Sequence, residues 1–210
     1  MKNYVITIAR GFGSGGKEIG IMLSEKLGIP CYENQILQMA SDKSGISKAL
    51  FVKSDEKVSG KKIAIALKKF PKITQIAQPY QKDFVSDVNL FNIQAEIIRQ
   101  LASTESCIII GKCANHILKE YDNVISVYIE APRKACRKTV MDRLDVTAAE
   151  ADQMIHQTDK YRADYYSYYS GGGYWTDPVA YDMTLNSDRI GYSQCVELIA
   201  DYKDIKLNNI

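Results

Sequence analysis

A chain of 210 residues, 46% of them hydrophobic, suits one α/β core with appended substrate segments, and its formal charge of only +2 gives no overall basis for a nucleic-acid surface. Its five cysteines, Cys31, Cys107, Cys113, Cys136 and Cys195, form no C-x-x-C pair, and His116 and His156 lie far apart, so neither a disulfide frame nor a structural zinc site is expected. No run approaches the roughly 18 to 20 apolar residues that span a bilayer, and no signal-like stretch opens the sequence, which predicts a soluble, cytoplasmic protein with no membrane partner.

Tyr4 to Ala9 is rich in β-branched and aromatic residues and reads as a buried strand. Arg10 follows, and then Gly11-Phe12-Gly13-Ser14-Gly15-Gly16-Lys17-Glu18. Gly11, Gly16 and Lys17 fit G-x-x-x-x-G-K, the P-loop pattern, whose backbone N–H groups wrap the phosphates of a nucleotide. Beyond it, Ile19, Met22, Leu23 and Leu27 recur at helical spacing until Gly28 and Pro30 stop them. Strand, glycine loop and helix start bring aligned amides and a positive dipole end to one anion. The pattern is broken once, at Glu18, where a Ser or Thr hydroxyl ordinarily binds magnesium.

Ile29 to Tyr32 predicts a short strand and Asn34 to Ala40 a helix. Residues 42 to 88 change character: they are rich in lysine, with Gly45, Gly60, Pro71 and Pro79 among short apolar pieces. Leu90, Ile93, Ile97, Ile98 and Leu101 restore helical periodicity and lead to the apolar strand Cys107 to Ile110, then Gly111. A strand over Val124 to Ile129 and a helix over Lys134 to Leu144 come next. Thr147-Ala148-Ala149-Glu150 is a capping box that starts another helix near Ala148. Tyr165 to Tyr174 encloses Gly171-Gly172-Gly173 and reads as a mobile loop. Asp182 to Leu185 is the last strand and Gln194 to Tyr202 the closing helix. Strands alternating with helices predict a parallel, doubly wound sheet.

Several of these stretches together resemble one family. The doubled glycine with Ile19-Gly20, the run Ile108-Ile109-Ile110-Gly111-Lys112-Cys113-Ala114 and the run Thr158-Asp159-Lys160-Tyr161-Arg162-Ala163-Asp164-Tyr165-Tyr166 are similar to the cytidylate-kinase-like family. Trp175, Tyr181-Asp182 and Leu185-Asn186 continue the resemblance, which covers nearly all of the chain except residues 50 to 85. It implies a P-loop NTPase fold, three-layer α/β/α, with a parallel five-stranded sheet, an inserted substrate-binding segment and a helical lid. In these terms the core is 1–41, 89–144 and 179–210, the insertion 42–88 and the lid 145–178. ATP with Mg2+ is then the donor, and a nucleoside monophosphate, CMP or dCMP, the small-molecule acceptor. A P-loop kinase for another small acceptor and a nucleotide-binding module with little turnover stay open as alternatives, as does the oligomeric state.

Phosphoryl transfer asks a protein chiefly to align two groups and neutralise charge that shifts in the transition state. Lys17 is the donor-side cation, with Gly11, Gly13, Ser14, Gly15, Gly16 and Glu18 around the same phosphates. Arg10 is either a phosphate contact or a packing residue. Arg133 and Arg137, four apart on one helical face, are either lid-entrance phosphate ligands or a solvated basic face, with Arg143 beyond them. Asp159-x-x-Arg162 resembles the family's lid pair, in which the aspartate holds the arginine extended to the phosphates as the lid closes. On the acceptor side no arginine occurs between Arg10 and Arg99. Lys53, Lys57, Lys61 and Lys62 are point charges that cannot reproduce a bidentate grip. Gln94 either reads a base edge or caps or packs, with Arg99 and Lys112 as further acceptor contacts. Glu33 matches an acidic position of the relatives and would hold the metal through water, whereas Cys113 stands where true cytidylate kinases carry an acid. Tyr161, Tyr165, Tyr166, Tyr168, Tyr169, Tyr174 and Trp175 either pack the lid or stack on a base, Tyr165 and Tyr168 being the stacking candidates.

Overall fold

The computed structural model describes residues 3–56 and 76–208, so Lys57, Lys61 and Lys62 lie outside the described residues. Five parallel strands carry the fold: β1 (Val5–Arg10), β2 (Cys31–Tyr32), β3 (Cys107–Ile110), β4 (Val124–Glu130) and β5 (Met183–Asn186). They pair in the order β2-β3-β1-β4-β5, which puts β1 at the centre of the sheet. In register, Val5 to Ile8 pair with Cys107 to Ile110, and Val5 to Arg10 with Val124 to Ile129. Around the sheet lie α1 (Gly16–Leu27), α2 (Gln35–Ser44), α3 (Lys48–Glu56), α4 (Asp87–Thr104), α5 (Ala114–Ile117), α6 (Arg133–Leu144), α7 (Ala148–Ser170), α8 (Ser187–Ile190) and α9 (Tyr192–Asn208).

Because side chains alternate along a strand, each strand feeds two cores. Ile6, Ile8, Ile108, Ile110, Ile125, Val127 and Ile129 meet Ile19 and Leu23 of α1 and Val196 and Ile199 of α9 on one face. Val5, Ala9, Cys107, Ile109, Val124 and Tyr128 meet α2, α4 and the tyrosines of α7 on the other. Burial on both faces is why β3 reads as an unbroken apolar run and β1 as one interrupted only by the buried Thr7 before Arg10. The result is the three-layer α/β/α arrangement with a parallel five-stranded sheet.

Two stretches differ from the sequence expectation. Residues 42 to 56, for which the sequence pattern predicts no element, continue α2 to Ser44 and then form α3. The expected mobile loop from Tyr165 is instead the last turns of α7, which runs to Ser170 and ends on Gly171 in the left-handed region, φ +78°. Burial decides the second case. Phe91 of α4 stacks on Tyr169 with ring centroids 3.7 Å apart, and Tyr165 packs edge-on to Phe91 at 5.9 Å. Each such ring removes 150 Å² or more of apolar surface from water, which outweighs the pull of three glycines downstream. The start of α7 follows the capping box, with Thr147 and Glu150 bonded reciprocally.

Candidate active site

The C-terminal end of β1 delivers Arg10 to the base of the glycine loop, and the loop is held from several sides. Gly11 N–H donates to the Ile129 carbonyl at 3.0 Å. Ser14 is buried, its hydroxyl bonded to the carbonyls of Gly11 at 2.9 Å and Ile129 at 3.0 Å. The Ser187 hydroxyl, at the start of α8, donates to the Ser14 carbonyl at 2.6 Å and lies 3.2 Å from that of Glu130. The Ser14 side chain is therefore a brace of the loop, and any phosphate contact falls to main chain. Gly13 (φ +86°) needs glycine twice over, since a Cβ there would also stand 2.6 Å from the Cys136 carbonyl oxygen. α1 starts at Gly16, and its first-turn N–H groups open towards the loop.

A carboxylate joins the loop lysine to the sheet. Glu33, just past β2, accepts from Lys17 at 2.8 Å through one oxygen and from Arg10 at 2.7 Å through the other. Burial works against its charge, but the hydrogen bonds and charges of Lys17 and Arg10 prevail and hold its carboxyl below the usual carboxylate range. Burial lowers the Arg10 guanidinium, with Glu33 opposing. Lys17 itself is half exposed.

From the other side α7 lies against the loop. The Asp159 carboxylate accepts the Phe12 N–H at 2.8 Å and stands 3.6 Å from Arg162. Arg162 donates to the Arg10 carbonyl at 2.9 Å, and its guanidinium lies over the Phe12 ring at 5.6 Å. Burial, reinforced by the charge of Arg10, brings Arg162 down to about 10, so it stays protonated at neutral pH. Burial raises Asp159, with the Phe12 bond and Arg162 opposing. Arg162 thus already touches the P-loop in this structure.

The remaining expected residues are placed as follows. Glu18 pairs with Arg143 at 2.8 Å, joining α1 to α6. Arg133 and Arg137 both bind Asp152 of α7, at 2.9 and 3.0 Å. Lys112 lies in a left-handed turn, φ +58°, on the wall of a cavity of about 460 Å³ beside the loop. Gln94 is buried in α4 and Arg99 lies 3.9 Å from Glu96; neither lines that cavity. Arg10, Glu33 and Arg162 do, together with Tyr161, Tyr165, Tyr166 and Trp175. An adjoining cavity of about 560 Å³ reaches Lys17. Among the described residues no helix is long and apolar enough to cross a membrane.

Sequence reasoning missed Glu130, Ser187 and Phe12. Glu130 lies directly beneath Gly11, where its carboxylate would meet any Cβ, and is bonded to the Tyr128 hydroxyl and to Ala131 N–H. Its signal was its place at the carboxyl end of a strand next to β1, the edge at which parallel sheets gather their ligands.

A family model described as the cytidylate kinase-like family matches residues 5–189. The chain belongs to this family. Among solved structures it is similar to an uncharacterized protein from Eubacterium ventriosum ATCC 27560, with 25% identity over 96% of this chain and 99% of that one and a TM-score of 0.70. A shikimate kinase from Bacteroides thetaiotaomicron (11% identity, 96% and 98% covered, TM-score 0.53) and a gluconokinase from Sinorhizobium meliloti 1021 (13%, 98% and 97%, 0.50) share the fold. No curated protein matches. Family and fold make this a kinase-type P-loop protein of the nucleotide-binding kind, and they support a phosphotransferase without specifying its acceptor.

Magnesium fits here chiefly as a partner of nucleotide phosphates. Among the described residues no group of three or more acidic, His or Cys side chains converges, and Glu18 is engaged by Arg143. Glu33 is the carboxylate bonded to Lys17 and would reach the ion through water, as magnesium keeps much of its hydration.

Proposed function

We propose that the chain transfers the γ-phosphoryl group of ATP to a nucleoside monophosphate, CMP or dCMP. The observation that carries this reading is one cavity, beside the loop, lined both by cations and by aromatic rings. Arg10 and Arg162 border it where Arg162 meets the loop, and Tyr161, Tyr165, Tyr166 and Trp175 also line it. Such a space suits a phosphate on guanidinium groups and a base on rings. Lys17 and the loop amides would hold the β- and γ-phosphates. Arg162, positioned by Asp159 and the Arg10 carbonyl, would meet charge as it develops on the transferring group. A magnesium ion bound with ATP would neutralise phosphate charge, with Glu33 as its protein partner through water.

A second reading is supported by Glu33. An ionised carboxylate in the same cavity, 2.8 Å from the Lys17 ammonium, suits a hydroxyl acceptor that must lose a proton, which a nucleotide phosphate need not do. The test is ADP formation from ATP and Mg2+ with CMP, dCMP, UMP, AMP, shikimate and gluconate as acceptors. Turnover with CMP or dCMP at the highest kcat/KM is the expected result. Preference for shikimate or gluconate would install the hydroxyl reading. ATP binding without turnover on any of them would favour a nucleotide-binding module.

A further inference from the structure

We infer that Lys48 holds the anionic group of the acceptor and so helps to set which acceptors the site takes; the inference rests on the phosphotransfer reading above. Among the described residues the 460 Å³ cavity is lined by four cations, Arg10, Lys48, Lys112 and Arg162, against the one carboxylate of Glu33. That excess is a surface for an anion. Most of the charge is already engaged: Arg10 binds Glu33 at 2.7 Å, Arg162 binds the Arg10 carbonyl at 2.9 Å, and Lys112 has interactions of its own. Lys48 makes no hydrogen bond or ion pair among the described residues, so it can take an anion without giving up a partner.

The position of Lys48 is not explained by the stability of its helix. It is the first residue of α3, whose first turn contains no acidic residue, and a cation at that end opposes the helix dipole. It also buries little, being exposed. Proteins break such local rules at functional sites, and Lys48 breaks this one with no compensating contact among the described residues. One turn on, Val52 lines the same cavity, so that face of α3 is turned to the acceptor space. Lys48 further lines the 560 Å³ cavity that reaches Lys17; Glu33, Asn34 and Ile110 are the other residues common to both. It therefore stands at the passage between the acceptor's space and the donor's lysine. An ammonium is a point charge with no planar fork, so it takes an oxygen of a phosphate monoester or of a carboxylate. Anionic acceptor is the chemistry that both readings share, and it answers the absence of any arginine between Arg10 and Arg99.

The donor site is first filled with AMP-PNP and Mg2+, so that it no longer competes for anions. Inorganic phosphate, CMP and cytidine are then titrated by calorimetry into the wild type, Lys48→Ala and Lys48→Arg. The wild type should bind phosphate, and CMP more tightly than cytidine. Lys48→Ala should weaken phosphate and CMP by a factor on the order of ten or more, the loss of one charge-assisted contact, and leave cytidine unchanged. Lys48→Arg should stay close to wild type. Equal AMP-PNP affinity in all three proteins reports an intact fold and donor site. Phosphate binding absent from the wild type, or undiminished in Lys48→Ala, overturns the inference. Binding of phosphate through Lys48 without binding of CMP or cytidine keeps it and removes CMP from the proposed function instead. Failure of all three proteins to bind AMP-PNP defeats the phosphotransfer reading and this inference with it.

Discussion

Replacing Arg162 with alanine separates the chemical role of α7 from its structural one. The guanidinium has five N–H donors; one is fixed on the Arg10 carbonyl at 2.9 Å, and the face lies over Phe12. That anchor leaves the rest of the fork beside the loop with little freedom to lose during the reaction. Loss of one such preorganised donor lowers kcat by about 10² to 10³. The same change removes a charged hydrogen bond worth about 1.5 to 3 kcal/mol and leaves Asp159 without its neighbouring cation. In a chain of this length that lowers Tm by roughly 3 to 12 °C, at about 2 to 4 °C per kcal/mol. Steady-state kinetics well below the lowered Tm, with ATP titration and a melting curve, read the two effects apart. Arg162→Lys should recover part of the Tm and little of kcat, because an ammonium cannot hold the carbonyl and span phosphate oxygens together. A folded Arg162→Ala enzyme with unchanged kcat would remove Arg162 from the site. Lost ATP affinity with kcat preserved would make it a ground-state contact.

Lys17→Ala should abolish turnover with the fold intact, since Lys17 is half exposed; normal kinetics in the purified variant would end the P-loop assignment. Glu33 has a native pKa below its unfolded one, so the unfolded chain binds the extra proton and the stability it contributes is present at neutral pH and lost as pH falls through the native value. The Tm difference between wild type and Glu33→Gln should therefore be present at pH 7 and shrink below about pH 4.3; a difference independent of pH refutes this. Glu18→Thr should be tolerated and increase the dependence of activity on magnesium, while releasing Arg143; loss of nucleotide binding would give the Glu18–Arg143 pair a role in shaping the loop. Phe91→Ala should destabilise by about 3 to 5 kcal/mol, read by denaturant unfolding, because its ring is fully buried and stacked on Tyr169; a loss under 1 kcal/mol would mean that α7 is not held there.

What was legible in the sequence was local or periodic. The loop needs glycines within six residues, and its flanking strand and helix announce themselves by composition and by 3.6-residue spacing. The central strands were legible because burial on both faces makes them mostly apolar and β-branched, with Thr7 in β1 and Ser126 in β4 as single polar interruptions. α3 was not, since Lys48 to Glu56 has short apolar pieces and a weak stripe, and among its described side chains Phe51 is the one buried hydrophobic residue, with Ser54 also buried. The tyrosines of α7 misled for a related reason. Tyr165 and Tyr169 lie one turn apart on a face whose partner, Phe91, is more than seventy residues away, and the nearby glycine triplet was the louder signal.

The site follows the same division. The glycine loop was legible from its motif, although Phe12 within it was not singled out, and the partners that fix the loop come from distant elements. Glu33 lies 16 residues from Lys17, Asp159 lies 147 from Phe12, and Ser187 lies 173 from Ser14. None of these distances leaves a spacing to read. Arg133 and Arg137 illustrate the limit most plainly: their spacing puts them on one face in either reading, and it is Asp152, on the next helix, that determines where the face points. Lys48 is the opposite case, a residue made conspicuous by what it lacks. A lysine in a lysine-rich segment carries no signal until the fold supplies partners to its neighbours and a cavity in front of it. The glycine loop is thus written in nine consecutive residues, Arg10 to Glu18, while the side chains that meet it are brought there by contacts between separate elements of the fold.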